Sequence, residues 1–231
     1  MKTVLITGAN RGLGLEHARR FVARGARVYA AVRAPSDAAE LHALAAEYRG
    51  QVELLPYEAG DPEAPAQLKA VLGGSTLDLL FANAGDIGGK HQSFGSVDVE
   101  AVLRLVRINA LAPLKLAEML ADNVARSERK LMAFQSSLMG SVGDNGSGGY
   151  YEYRIAKTAL NMIARSVSVD LGSRGVIAVA LHPGWAQTRM GGANAPVPLD
   201  ESVTGQQRLL DALTRADSGR FFNYDGKELP W

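Results

Sequence analysis

Apolar runs of four to seven residues recur along the chain and alternate with longer amphipathic stretches. The runs are Thr3–Thr7, Arg27–Val32, Val52–Leu55, Leu77–Ala82, Lys130–Ser136 and Val176–Leu181, with a short seventh at Phe221–Asn223. They read as strands buried on both faces. The stretches Leu13–Arg24, Asp37–Tyr48, Pro62–Leu72 and Ala110–Val124 carry apolar residues at helical spacing. Buried strands alternating with helices predict a parallel sheet covered on both sides. Gly25 sits where a glycine ends a helix in a left-handed conformation.

Two stretches break the rhythm. Leu138–Gly149 holds five glycines and an Asp144-Asn145 pair, and Pro183–Pro198 holds three prolines. Each follows a strand, where loops of an open α/β sheet meet ligands.

The length of 231 residues and a hydrophobic content of 47% suit one domain, residues 1–231, with a large core. A net charge of +1 argues against nucleic acid as a partner. With no cysteine, disulfide and thiolate chemistry are excluded. No metal site is expected, because His17, His42, His91 and His182 lack ligand spacing. No apolar run reaches membrane-spanning length, and the first strand leaves no room for a leader before it. A soluble cytoplasmic protein without membrane partners is the expectation.

The first strand runs into Thr7-Gly8-Ala9-Asn10-Arg11-Gly12-Leu13-Gly14. Glycines there let the backbone turn sharply and approach a ligand. The following helix offers free N–H groups and a positive dipole end to a phosphate. The segment predicts a dinucleotide cradle. Arg33 ends the second strand, 19 positions beyond Gly14, where the adenosine ribose is met. A carboxylate there suits a 2′-hydroxyl, whereas an arginine suits a 2′-phosphate. Arg33 and Arg11 therefore favour NADP over NAD.

Tyr153 and Lys157 stand four apart at the start of a helical segment and share one face. A free phenol has a pKa of about 10 and is a poor acid or base at neutral pH. A nearby ammonium stabilises the phenolate. A shift of roughly three units needs about 4 kcal/mol.

Taken with Asn83-Ala84-Gly85, Asn109, Ser136-Ser137 and His182-Pro183-Gly184, these motifs make the chain resemble a short-chain dehydrogenase/reductase almost end to end. It is nearer to the C-factor-like and sniffer-like carbonyl reductases. That likeness rests on Ser137 to Ser141, Asp144-Asn145, Tyr151 to Lys157, Pro183-Gly184-Trp185, Thr188, Met190-Gly191-Gly192, and Asn223 to Gly226 through Leu229-Pro230-Trp231.

The resemblance implies a single-domain Rossmann fold, a doubly wound seven-stranded sheet in the order 3-2-1-4-5-6-7. It implies NADPH-dependent reduction of an aldehyde or ketone to an alcohol. Tyr153 would exchange a proton with the substrate oxygen. Lys157 would lower the Tyr153 pKa and bind the nicotinamide ribose. Ser137 would hydrogen-bond the substrate oxygen, and Asn109 would hold a water linking Lys157 to solvent. Gly8, Asn10, Arg11, Gly12, Leu13 and Gly14 would cradle the phosphates. Asn83, Ala84 and Gly85 would meet the adenosine side, and Glu58 the adenine amine. Pro183, Gly184, Trp185 and Thr188 would hold the carboxamide.

Ser141 competes with Ser137, because its distance of 12 from Tyr153 is nearer the usual spacing than 16. Glu58 replaces a usual aspartate, and Arg189 stands where relatives often carry an acid. A homo-oligomer, dimer or tetramer, is expected through the helices of Asn109 and Tyr153. The rival reading is a dinucleotide-binding signalling protein of C-factor type with little turnover.

Overall fold

The computed structural model describes residues 1–89 and 92–231. His91 lies outside the described residues. Seven parallel strands form one sheet in the order β3-β2-β1-β4-β5-β6-β7. They are β1 (Thr3–Thr7), β2 (Arg27–Val32), β3 (Val52–Pro56), β4 (Leu79–Ala82), β5 (Leu131–Gln135), β6 (Ile177–His182) and β7 (Phe221–Asn223). The helices are α1 (Gly12–Ala23), α2 (Ala39–Glu47), α3 (Ala64–Leu72), α4 (Val99–Val106), α5 (Ala112–Ala125), α6 (Tyr151–Asp170) and α7 (Leu199–Ala212). This is the doubly wound Rossmann architecture expected from the alternation of runs.

Side chains alternate across each strand. Leu5, Met132 and Phe134 pack with Leu68 of α3, Leu120 of α5 and Ile163 of α6. Val4, Ile6 and Val179 point the other way, toward Phe21 of α1, Leu41 of α2 and Leu210 of α7. Both faces are thus dry, which is why the strands read as unbroken apolar runs. A fully buried leucine such as Leu5 contributes roughly 2 kcal/mol of transfer free energy.

The element ends shift for local reasons. Gly25 closes α1 at φ +84°, with its N–H on the Val22 carbonyl and the Ala26 N–H on that of Phe21. The helix expected from Pro62 begins at Ala64, because the Asp61 carboxylate accepts the Glu63 N–H at 3.0 Å. The strand expected from Leu77 begins at Leu79, since the Leu77 N–H is taken by the Asn123 carbonyl. The helix expected over Ala110–Val124 is α5, entered through a π-helical turn over Arg107–Leu111 that continues α4. Leu138–Gly149 is irregular apart from a 3-10 turn at Leu138–Gly140. Among the described residues no helix is long and apolar enough to cross a membrane.

His17 of α1 is fully buried, edge-on to Phe81 at 4.8 Å and stacked near Phe21. Neither ring nitrogen makes a hydrogen bond of ordinary geometry among the described residues. Burial, then the charge of Arg20, lowers its pKa from 6.5 to about 3, although the Gln206 side chain lies beside the ring and partly opposes the shift. The unfolded chain therefore binds this proton more tightly, and stability is lost as pH falls from about 6.5 toward 3. His17→Leu should be at least as stable as wild type at pH 7 and should lose less stability at pH 4 in urea titrations. An unchanged acid slope would show that His17 is not the source.

Candidate active site

The carboxyl ends of the strands open into one cleft of about 1010 Å³ beside β1 and β4, where the winding direction reverses. Gly8 follows β1 at φ +66°, and a Cβ there would lie 3.0 Å from the Ala84 Cα. A Cβ on Gly14 would run into the Gly8 carbonyl oxygen and lie 2.7 Å from the Asn83 amide nitrogen. The turn can close this tightly only with glycine at both positions. Asn83 braces it from β4: its amide donates to the Thr7 carbonyl at 2.9 Å. The Thr7 hydroxyl accepts the Asn83 and Ala84 N–H groups, each at 3.0 Å. The α1 N-terminus that follows has no side-chain cap and no acid in its first turn.

Of the residues expected at the cofactor, Gly8, Asn10, Arg11, Gly12, Leu13, Gly14, Arg33, Glu58, Asn83, Ala84, Gly85, Tyr153, Lys157, Pro183 and Thr188 line this cleft. Gly184 and Trp185 are not in its wall. Gly184 is backbone packing: at φ +73°, a Cβ would meet the Tyr224 ring at 2.9 Å. Trp185 is 58% exposed and donates its indole N–H to the Gly191 carbonyl at 2.8 Å, bracing the loop after β6. Arg11 and Arg33 have no carboxylate partner among the described residues.

Tyr153 and Lys157 lie on the first turns of α6, both buried. The Lys157 ammonium donates to the Gln135 carbonyl at the end of β5, 2.8 Å away, and lies 5.7 Å from the Tyr153 ring centre. Burial lowers its pKa from 10.5 to about 8. The phenol moves opposite to the sequence expectation. Burial pushes it up to about 12, and the adjacent Ser137 hydroxyl only partly opposes this. Desolvation of the phenolate dominates, and among the described residues no hydrogen bond joins the Lys157 ammonium to the phenol oxygen.

The two candidate serines part company. Ser137 sits beside the Tyr153 phenol, and its oxygen accepts the Met139 N–H at 3.2 Å. Ser141 accepts the Asp144 N–H at 3.0 Å and holds the glycine-rich loop. Asn109 is buried in the π-helical turn, with both side-chain atoms on the Asp86 backbone, at 2.8 and 2.7 Å. Its side chain ties the loop after β4 to the π-helical turn.

Some residues of the site carried no sequence signal. Gln92 accepts the Tyr153 N–H at 3.0 Å and donates to the Ile87 and Gly89 carbonyls, each at 2.8 Å. It caps α6 from a loop 61 residues earlier. Asp86 pairs with Arg104 of α4 at 2.8 Å, and both line the cleft. Burial opposes ionisation of Asp86, but Arg104 and the Gly88 and Ile87 N–H groups outweigh it and hold the carboxyl below its usual range. Asp86 directly follows Asn83-Ala84-Gly85, which was the available hint.

The chain belongs to the short-chain dehydrogenases: the family model for short chain dehydrogenase matches residues 2–196. It is 43% identical over 155 residues to C-signal of Myxococcus xanthus, covering 67% of this chain and 93% of that one. Its structure superposes on the carbonyl reductase Sniffer of D. melanogaster with a TM-score of 0.93 and 32% identity, over 100% of both chains. An NADPH-bound carbonyl reductase from chicken fatty liver gives 0.91 at 32% identity, over 100% of this chain and 99% of that one. The family is one of oxidoreductases.

Below pH 8 the folded state carries the full cost of a buried ammonium on Lys157. The unfolded chain keeps its proton up to about 10.5, so that cost fades as pH rises from 8 to 10.5. Lys157→Met should therefore melt no lower than wild type at pH 7, with a gain of roughly 3 kcal/mol at most. The advantage should shrink by pH 10; a variant destabilised at pH 7 would contradict this account.

Proposed function

We propose that the protein is an NADPH-dependent carbonyl reductase that converts an aldehyde or ketone to an alcohol. One observation carries the reading: Tyr153 and Lys157 stand in the wall of the cleft that also holds the glycine cradle, with the Ser137 hydroxyl against the Tyr153 phenol. The cradle fits a dinucleotide, because the glycine turn leads into an α1 N-terminus that has no side-chain cap and lies in the cleft wall. Arg11 and Arg33 would take a 2′-phosphate, and Glu58 the adenine amine. NADPH in the chicken carbonyl reductase supports the same choice. Bound here, the reduced nicotinamide supplies the hydride to the carbonyl carbon.

The protein supplies the proton. At neutral pH the Tyr153 phenol is held protonated by burial, which is the state a donor to the substrate oxygen needs. The Ser137 hydroxyl would bond the same oxygen and steady the charge that builds on it. As the proton leaves, the nearby Lys157 ammonium stabilises the phenolate. Lys157 would also bind the ribose hydroxyls. Pro113, four residues beyond Asn109, has no N–H, so the Asn109 carbonyl receives no helical bond from that position. That carbonyl, not the side chain, is the group to hold a water leading toward Lys157. Asn83, Ala84 and Gly85 shape the adenosine side, and Pro183 and Thr188 face the carboxamide.

We read residues 1–231 as one domain acting in the cytoplasm on a small carbonyl or alcohol substrate. A homo-oligomer is supported by Ile155, Met162 and Val169, an exposed apolar stripe repeating every seven residues along α6. A second reading, a dinucleotide-binding signalling protein with little turnover, rests on the likeness to C-signal. NADPH consumption over a panel of aldehydes, ketones and quinones separates the two. Tight NADPH binding without turnover would favour the signalling protein.

Tyr153→Phe should lower kcat at least a thousandfold with NADPH affinity kept. Ser137→Ala should cost about a hundredfold and Ser141→Ala far less. Normal turnover in Tyr153→Phe would remove its role as donor. In fluorescence titrations, Arg33→Glu should weaken NADPH at least tenfold more than NADH; equal losses would withdraw the 2′-phosphate assignment.

A further inference from the structure

Five cationic side chains line the cleft: Arg11, Arg33, Arg104, Lys157 and Arg189. Arg104 is paired with Asp86, and Lys157 is bonded to Gln135. Arg11 and Arg33 belong to the adenosine end. Arg189 is left, exposed and without a carboxylate partner among the described residues.

Its backbone is firmly placed. The Gly192 N–H donates to the Thr188 carbonyl at 2.9 Å and the Gly191 N–H to the Thr188 hydroxyl at 3.1 Å. Gly191 is pressed against the Ala186 carbonyl so closely that no Cβ would fit. The Gln187 N–H on the Val197 carbonyl, 2.8 Å, ties the incoming strand of the loop to its outgoing one. Arg189 thus rides a braced turn. That turn meets the glycine segment across the cleft: the Thr188 methyl is 3.6 Å from the place of a Cβ on Gly12, the first residue of α1. The start of α1 and Arg189 therefore line the same cleft from facing segments.

We infer that Arg189 is the second jaw of a pyrophosphate clamp. The uncapped α1 N-terminus takes the dinucleotide's pyrophosphate on one side, and Arg189 takes it from the other. The inference rests on the dinucleotide reading above but assigns a binding residue beyond it. A pyrophosphate is common to NADPH and NADH, so this contact contributes to both alike. It raises affinity without choosing between them, in contrast to Arg33.

Fluorescence titration of NADPH and NADH into wild type, Arg189→Gln and Arg189→Lys tests this at two salt concentrations. Arg189→Gln should weaken both nucleotides by about tenfold, leave their ratio unchanged and flatten the salt dependence. Arg189→Lys should recover most of the loss. Loss for NADPH alone would move Arg189 to the 2′-phosphate and overturn the clamp. Unchanged binding of both, with a raised KM for a carboxylate-bearing aldehyde only, would give the residue to substrate and overturn it too. If wild type itself binds neither nucleotide, the dinucleotide reading fails first and the clamp with it.

Discussion

An ammonium taken out of water is the constraint around which the site is arranged. Lys157 is 4% exposed, and its hydrogen-bond partner among the described residues is the Gln135 carbonyl at the tip of β5. Removing a cation from water costs several kcal/mol, and one neutral hydrogen bond returns only part of that. Burial accordingly lowers the pKa of the ammonium and raises that of the adjacent phenol. Both groups are held away from their charged states. The same shift keeps the phenol protonated at neutral pH and leaves the ammonium without an anionic partner. In the proposed reaction a phenolate on Tyr153 would be such a partner. Stability and chemistry are coupled here, as in other sites where an unfavourable burial persists because function needs it.

The surrounding packing keeps that arrangement rigid. A Cβ on Gly140 would lie 2.8 Å from the Lys157 backbone, so the turn after β5 sits directly on α6. Thr158 and Asn161 both donate to the Gly140 carbonyl, at 3.0 and 3.1 Å. Gln92 holds the opening N–H groups of the same helix from the opposite side. Asn109 ties the loop after β4 to the π-helical turn. The Gln92 and Asn161 bonds are buried, and those of Thr158 and Asn109 are partly buried. Leaving one partner unpaired there costs more than the bond itself contributes.

The charges divide by task. Arg104 is neutralised by Asp86, whereas Arg11, Arg33 and Arg189 have no carboxylate partner among the described residues, and Asp37 and Glu58, also in the lining, pair with none of them. The net charge of +1 gives no sign of this, because the bulk of the ion pairs lie elsewhere on the surface. What matters to an anionic ligand is the local imbalance within the cleft rather than the total.

Strand runs, their alternation with helices and the glycine segment were legible in the sequence, since burial on both sheet faces demands apolar residues at every position. Tyr153 and Lys157 were legible as a pair, because helical spacing alone puts them on one face. Their ionisation was not legible: it depends on which oxygen the ammonium meets, and that is the Gln135 carbonyl, 22 residues away. Nor could spacing choose between Ser137 and Ser141, as the turn at Gly140 sends one hydroxyl to the phenol and the other into a loop. Gln92, Asp86 and Arg104 act through partners distant in sequence, and no local pattern announces them. The chain by itself determined the fold class, the glycine turn and the pairing of Tyr153 with Lys157 on one helix face, because periodicity and close packing are local demands. The tertiary structure alone decided which groups are buried together, and burial sets their charge.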